Sequence, residues 1–244
     1  MSKTWTALPE CPIPPLQIPT GRVVGELEVL CQAADNEQAA MRSLSRGGLN
    51  VIGEILKGQG TFYEMNHYPE DDVFDDQSHA QYYYHAHREA EHGHFHTFIR
   101  RAAIPANIQP ASGFKRSEPL PQAADELAHL ICISMNKDGL PIGLFATNRW
   151  VTDESWYSAE ETISLVDQFR IEHASPNLAV NQWLTNFMRL CRPQIELLLR
   201  HRDQIIGAWQ NKHPERDVLE DRSLEITGYL PIDVPQWVSA LKDS

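Results

Sequence analysis

A chain of 244 residues, 42% apolar and 22% charged, has the make-up of a globular protein with a substantial core rather than of a disordered or fibrous one. Its formal net charge of −12 argues against a general phosphate-backbone binder, so no nucleic-acid partner is expected. No stretch approaches the ~18 apolar residues of a membrane span, and the opening MSKTWTALPECPIPPLQIP lacks the apolar segment of a signal peptide. A soluble cytoplasmic protein with no membrane partner is the expectation.

In chain order, Pro9, Pro12, Pro14, Pro15 and Pro19 make residues 1–19 an extended, Pro-rich arm. Thr20 is a plausible N-cap for a helix carrying Val23, Val24, Leu27 and Leu30 at helical spacing. Asp35, with Gln38 three residues on, predicts the start of a second helix that stops before Gly47-Gly48. Residues 50–56 read as a short third helix. The acidic run Glu70, Asp71, Asp72, Asp75 and Asp76 reads as a solvated loop.

The period then changes. Residues 81–88 and 94–100 alternate and are rich in aromatics, which predicts strands. Residues 128–135 and 140–148 flank NKDG, a hairpin-turn signal. Ser158 and Glu161 form a capping box for a helix with an apolar face. Ser175-Pro176 reads as a further N-cap followed by Pro at the first helical position, and Pro193 should kink or divide the helix that follows. The expected fold is α+β: a central antiparallel meander of about four strands between N-terminal and C-terminal helices. Residues 20–244 would form a single domain, helical over 20–58, sheet over 81–148 and mainly helical over 158–244.

The four cysteines, Cys11, Cys31, Cys132 and Cys191, are widely spaced, with no C-x-x-C, so neither a zinc ribbon nor a thioredoxin-like motif is supported. Cys31 and Cys191 sit among apolar helical neighbours and read as buried small hydrophobes.

The chemistry concentrates in QYYYHAHREAEHGHFHTFIR, where five of the eleven histidines fall within residues 85–96. Residues two apart on a strand share a face, so His85/His87 and His94/His96 each direct two imidazoles one way. A four-residue loop, or a two-residue one, sets His87 opposite His94 and His85 opposite His96, with all four on one face. A three- or five-residue loop would put the two pairs on opposite faces. Imidazole is the commonest protein ligand for transition metals, so His85, His87, His94 and His96 are the expected ligands of one divalent ion: iron, zinc or copper.

The apolar face beneath, with Tyr84, Ala86, Phe95, Thr97 and Ile99, should rest on the helices. Tyr83 shares the histidine face and Glu91 lies in the turn; both are catalytic candidates. Arg149 is a third, able to bind a substrate carboxylate or phosphate, or else to pair with Asp153 or Glu154.

The spacing H-x-H-x(3)-E over His85, His87 and Glu91 resembles the ligand pattern of cupins, which implies iron, manganese, nickel or copper. Alpha-type carbonic anhydrases are similar in drawing three zinc histidines, one His-x-His among them, from antiparallel strands. More of the chain, HAHR…EHGHFH and the later TNRWVT, resembles an uncharacterised bacterial domain family, a resemblance that implies no activity.

His129 opens the third strand. Regular alternation puts it on the face of Ile131 and Ile133, where it is a hydrogen-bonded histidine or a fifth imidazole at the sheet's end. His67 and His79, in the acidic segment, are candidates for a second metal or a proton shuttle. His173, His201 and His213 read as helix-surface residues. The function expected is a mononuclear metal-dependent enzyme acting on a small molecule, with oxidation favoured over hydrolysis because no free general base accompanies the histidines. The alternatives are a non-catalytic metal-binding or sensing protein and a metal-free interaction module.

Overall fold

The computed structural model describes residues 5–15, 24–114, 117 and 126–243. Along the chain run β1 (Trp5–Thr6), α1 (Val24–Arg46), α2 (Val51–Leu56), β2 (Tyr68–Phe74), β3 (Ala80–His85), β4 (Gly93–Arg100), β5 (Leu127–Met135), β6 (Pro141–Thr147), α3 (Ala159–Val166), α4 (Leu178–Leu190), α5 (Arg192–Lys212), β7 (Ile226–Pro231) and α6 (Val234–Lys242). The strands form one sheet in the order β1-β7-β6-β5-β4-β3-β2, and every neighbouring pair is antiparallel. The fold is α+β, with seven strands among the described residues where the sequence predicts about four.

The meander β3 to β6 is the expected one. Its NKDG turn closes with Gly139 N–H donating to the Asn136 carbonyl, while the Asn136 side chain accepts from the Asp138 and Leu140 amides. Gly139 sits at φ +77, which a side-chain-bearing residue adopts at a cost. The added strands are β1, β2 and β7. The acidic run is not simply a loop: Glu70, Asp71 and Asp72 lie in β2, which among the described residues pairs only with β3, and charge on its open side discourages further pairing.

Other expectations need correction. Asp35 starts no helix: the stripe Leu27, Leu30, Ala34, Glu37, Met41 and Leu44 continues past it with no glycine or proline to break the ladder, so α1 is one helix of 23 residues. The N-cap of α4 is Asn177, not Ser175; its side chain accepts from the amides of Ala179 and Val180. Thr20 lies outside the described residues. The expectation at Pro193 holds: α4 ends at Leu190 and α5 begins with Pro in its first turn. The capping box of Ser158 and Glu161 is present at α3.

One face of the sheet packs on helices. Tyr82, Tyr84, Phe95, Ile133 and Leu144 belong to the main core with Trp183, Leu184 and Phe187 of α4, and α1 packs along α4 behind them. The Tyr82 hydroxyl donates to Asn181 Oδ1 at 2.6 Å, and the rings of Phe95 and Trp183 lie 5.7 Å apart. The apolar face of the hairpin thus rests on helices, as expected. α5 lies over β6 and β7, where a Cβ on Gly228 would come within 2.8 Å of the His201 ring.

His201 is no surface residue. It is 1% exposed, and neither ring nitrogen has a hydrogen-bond partner among the described residues. Burial pushes its pKa below the ordinary 6.5. The unfolded chain therefore takes up a proton below pH 6.5 that the folded chain resists; this contribution to stability is complete above 6.5 and drains as pH falls below it. His201→Leu removes two orphan polar atoms. It should raise stability by ~1 kcal/mol and flatten the decline of the urea midpoint between about pH 7 and about pH 5. An unchanged slope would contradict that assignment.

Candidate metal centre

The opposite face of the sheet carries the histidines, in a register two residues from the expected one. His85 faces His94 and Tyr83 faces His96, so the connection runs over residues 86–92. The ladder stops at His85 because its next groups are engaged elsewhere. The Ala86 carbonyl accepts from the Met65 amide, and the His92 amide donates to the Met135 carbonyl. Gly93 permits the return: a Cβ there would stand 2.6 Å from the His85 carbonyl oxygen. A shift of two keeps the parity, so His85, His94 and His96 still share one face. His87 leaves the strand but stays close, its ring 4.9 Å from that of His85 and 5.1 Å from that of His94.

The three strand histidines converge through one atom each. His85 Nε2 lies 2.8 Å from His94 Nε2 and 3.1 Å from His96 Nε2, and the last two are 3.1 Å apart. All three residues are buried, His96 completely. Burial, reinforced by neighbouring imidazoles, pushes the pKa of His85 down to about 2 and that of His96 well below its usual value. Burial also lowers that of His94, outweighing the opposing pull of Glu91. The rings are thus neutral, the state in which imidazole binds metal.

Proton counting sharpens the picture. His94 Nδ1 lies 2.6 Å from Glu91 Oε1. A carboxylate only accepts, so the single ring proton of His94 sits on Nδ1 and Nε2 keeps its lone pair. Burial pushes the Glu91 pKa up, but the hydrogen bond from His94, the Ser134 hydroxyl and Arg88 together hold it below the ordinary value. His96 Nδ1 is engaged in turn, 3.2 Å from His129 Nε2 and 3.3 Å from Cys132 Sγ. With the His96 ring proton also on Nδ1, the lone pairs of His94 and His96 would meet at 3.1 Å in a buried place, an arrangement a cation resolves. A carboxylate behind a ligand histidine is the usual support of a metal site. Glu91→Gln should weaken metal binding ~10–100-fold with little change in fold, read by chelator competition; full affinity in that variant would contradict the role.

The expected site residues are distributed as follows. Tyr83 lies on the histidine face, its ring stacked at 4.9 Å on His96 and at 3.6 Å on His67. His67 Nδ1 is 3.1 Å from Asp72 Oδ1, which sets this ring at the rim. Glu91 turns inward, but onto His94 Nδ1 and Ser134, so the cupin-like spacing does not bring it to the convergent Nε2 atoms. The guanidinium of Arg149 is engaged by Glu220 and Asp153, the ion-pair alternative of the sequence reading. His92 bonds the Tyr84 hydroxyl at 2.6 Å. His79 stands near Phe74 and His173 near the Phe74 carbonyl, at the β2 edge.

His129 lies on the histidine face, not on that of Ile131 and Ile133, and Cys132, to which the sequence pattern assigns no role, lies beside it. β5 carries one extra residue where Thr97 pairs with Ile131 and Phe98 with His129, leaving Leu130 unpaired. This bulge turns His129 to the side of Cys132, which faces His96. The pattern H-x-x-C at residues 129–132 was the available signal, but on a regular strand it spans both faces. His85, His87 and His94 form one group of donors able to hold a metal ion, and His96, His129 and Cys132 another.

A meandering antiparallel sheet backed by helices, with a buried His/Cys cluster able to hold a metal on its other face, defines an α+β protein with a candidate metal site. Residues 31–232 match the family described as a domain of unknown function, DUF6969, and the chain belongs to that family. Comparison with curated proteins and with solved structures finds no match. Among the described residues, no helix is long and apolar enough to cross a membrane.

Proposed function

We propose that His85, His94 and His96 hold one divalent transition-metal ion and that this centre is the active site of an enzyme acting on a small molecule. The triangle of Nε2 atoms carries the reading. With metal–nitrogen bonds of ~2.0–2.1 Å, nitrogens at these separations subtend roughly 85–100° at the ion, narrower than the tetrahedral angle. That geometry leaves the side of the ion away from the three nitrogens for other ligands. His87, half-buried beside His85 and His94, is placed to serve as a fourth donor or to move aside.

An iron or copper ion so held supplies one-electron chemistry and an uncompensated positive charge, since its three ligands are neutral. The chain's own groups do the rest. Glu91 fixes the His94 ring and is not free as a base, which favours oxidation over hydrolysis. Arg88, its guanidinium 4.6 Å over the Phe145 ring and 4.0 Å from Glu91, adds a cation suited to an anionic substrate group. Tyr83, packed between His67 and His96, closes one side against water.

A closed, non-catalytic metal-binding site is the rival reading, favoured by the proximity of His87. Elemental analysis of untagged protein should find a transition metal that His85→Ala lowers by about one ion per chain. Azide or nitric oxide should then perturb the spectrum of the bound metal. Loss of metal in the variant without any response to these small ligands would leave the binding reading. Absence of metal after anaerobic incubation with Fe(II), Cu(I) and Zn(II) would overturn both.

A further inference from the structure

His96 presents its second nitrogen to another set of donors. Its Nδ1 lies 3.2 Å from His129 Nε2 and 3.3 Å from Cys132 Sγ, and His129 Nε2 lies 3.4 Å from the same sulfur. These atoms form a nearly equilateral triangle, and their residues are at most 3% exposed. With metal–nitrogen bonds of ~2.0–2.1 Å and a metal–sulfur bond of ~2.3 Å, the three subtend roughly 100°, within reach of a tetrahedral ion. The donors differ in kind as well: two imidazoles and a thiolate suit zinc or copper, whereas three imidazoles alone do not discriminate in this way. The β5 bulge is what makes the set, since without it His129 and Cys132 would lie on opposite faces. A carboxylate also stands behind this group: Glu154 accepts the His129 backbone amide at 2.8 Å and has Oε1 3.9 Å from His129 Nδ1.

We infer that His96, His129 and Cys132 hold a second, thiolate-bound metal ion, with the His96 ring bridging it to the ion of the three-imidazole centre. The inference rests on the proposed centre through His96. Binding of the second ion displaces two protons, one from the Cys132 thiol and one from His96 Nδ1, and the resulting thiolate and imidazolate offset two of the added positive charges.

Anaerobic titration of the metal-free full chain with Co(II) tests this. The wild type should take up two equivalents, one accompanied by a sulfur-to-cobalt charge-transfer band. Cys132→Ser should lose that band and one equivalent, while His94→Ala should keep the band and lose the other. His96→Ala should lose both, the mark of a shared ligand; His129→Gln should lose the band as Cys132→Ser does. One equivalent with no sulfur band in the wild type would overturn the second site while leaving the three-imidazole centre standing. No cobalt uptake would overturn both, and a band that survives His96→Ala would overturn the bridge.

Discussion

Replacing His94 with alanine is expected to weaken binding of the ion at the three-imidazole centre by more than ~100-fold, beyond the ~10–100-fold effect of losing a supporting group. Two of the three close nitrogen contacts involve this ring, at 2.8 and 3.1 Å, so its removal leaves one pair in place of a triangle. It also strips Glu91, 3% exposed, of its partner on Oε1, so a buried carboxylate remains with Ser134 and the distant Arg88. Chelator competition gives the affinity, and circular dichroism shows whether the sheet survives. An affinity equal to that of the wild type in a folded variant would place the metal elsewhere.

The second large effect lies beneath the sheet. Trp183→Ala should cost about 3–5 kcal/mol of stability, the range for deleting a large buried aromatic ring. Trp183 is fully buried on α4, packs against Phe95 and Phe187, and donates from Nε1 to Glu37 Oε1 at 3.0 Å. Burial already raises the Glu37 pKa, so the variant would leave a desolvated carboxyl without that bond as well as a cavity. Phe95 sits between His94 and His96 in sequence and points the opposite way, so the fit of β4 onto α4 also positions those two rings. Urea unfolding measures the loss; a cost below ~1 kcal/mol would show that the interface closes over the gap.

The legible parts of this chain were those governed by local pattern. Capping at Ser158, the division at Pro193 and the NKDG hairpin follow from residues a few positions apart. The facing of His85, His94 and His96 followed from strand parity, which survives a two-residue shift of register. What parity could not supply was decided by partners distant in sequence. The connection between β3 and β4 lengthened because Met65 and Met135 claim its backbone groups. β7, with Gly228 at its centre, becomes a strand only by pairing with β6 and β1. The β5 bulge that turns His129 beside Cys132 leaves no mark in a sequence that reads as regular alternation.

The faces of β4 therefore differ: odd-numbered residues from Phe95 to Ile99 anchor the sheet, and His94 and His96 stand on the side of the candidate metal site. Anomalous diffraction from crystals of the metal-loaded protein, collected across the absorption edge of the ion, tests the central claim most directly. The account predicts a peak about 2.0–2.1 Å from each of the Nε2 atoms of His85, His94 and His96. An ordered triad with no peak among those nitrogens, in a crystal grown with the metal present, would contradict it.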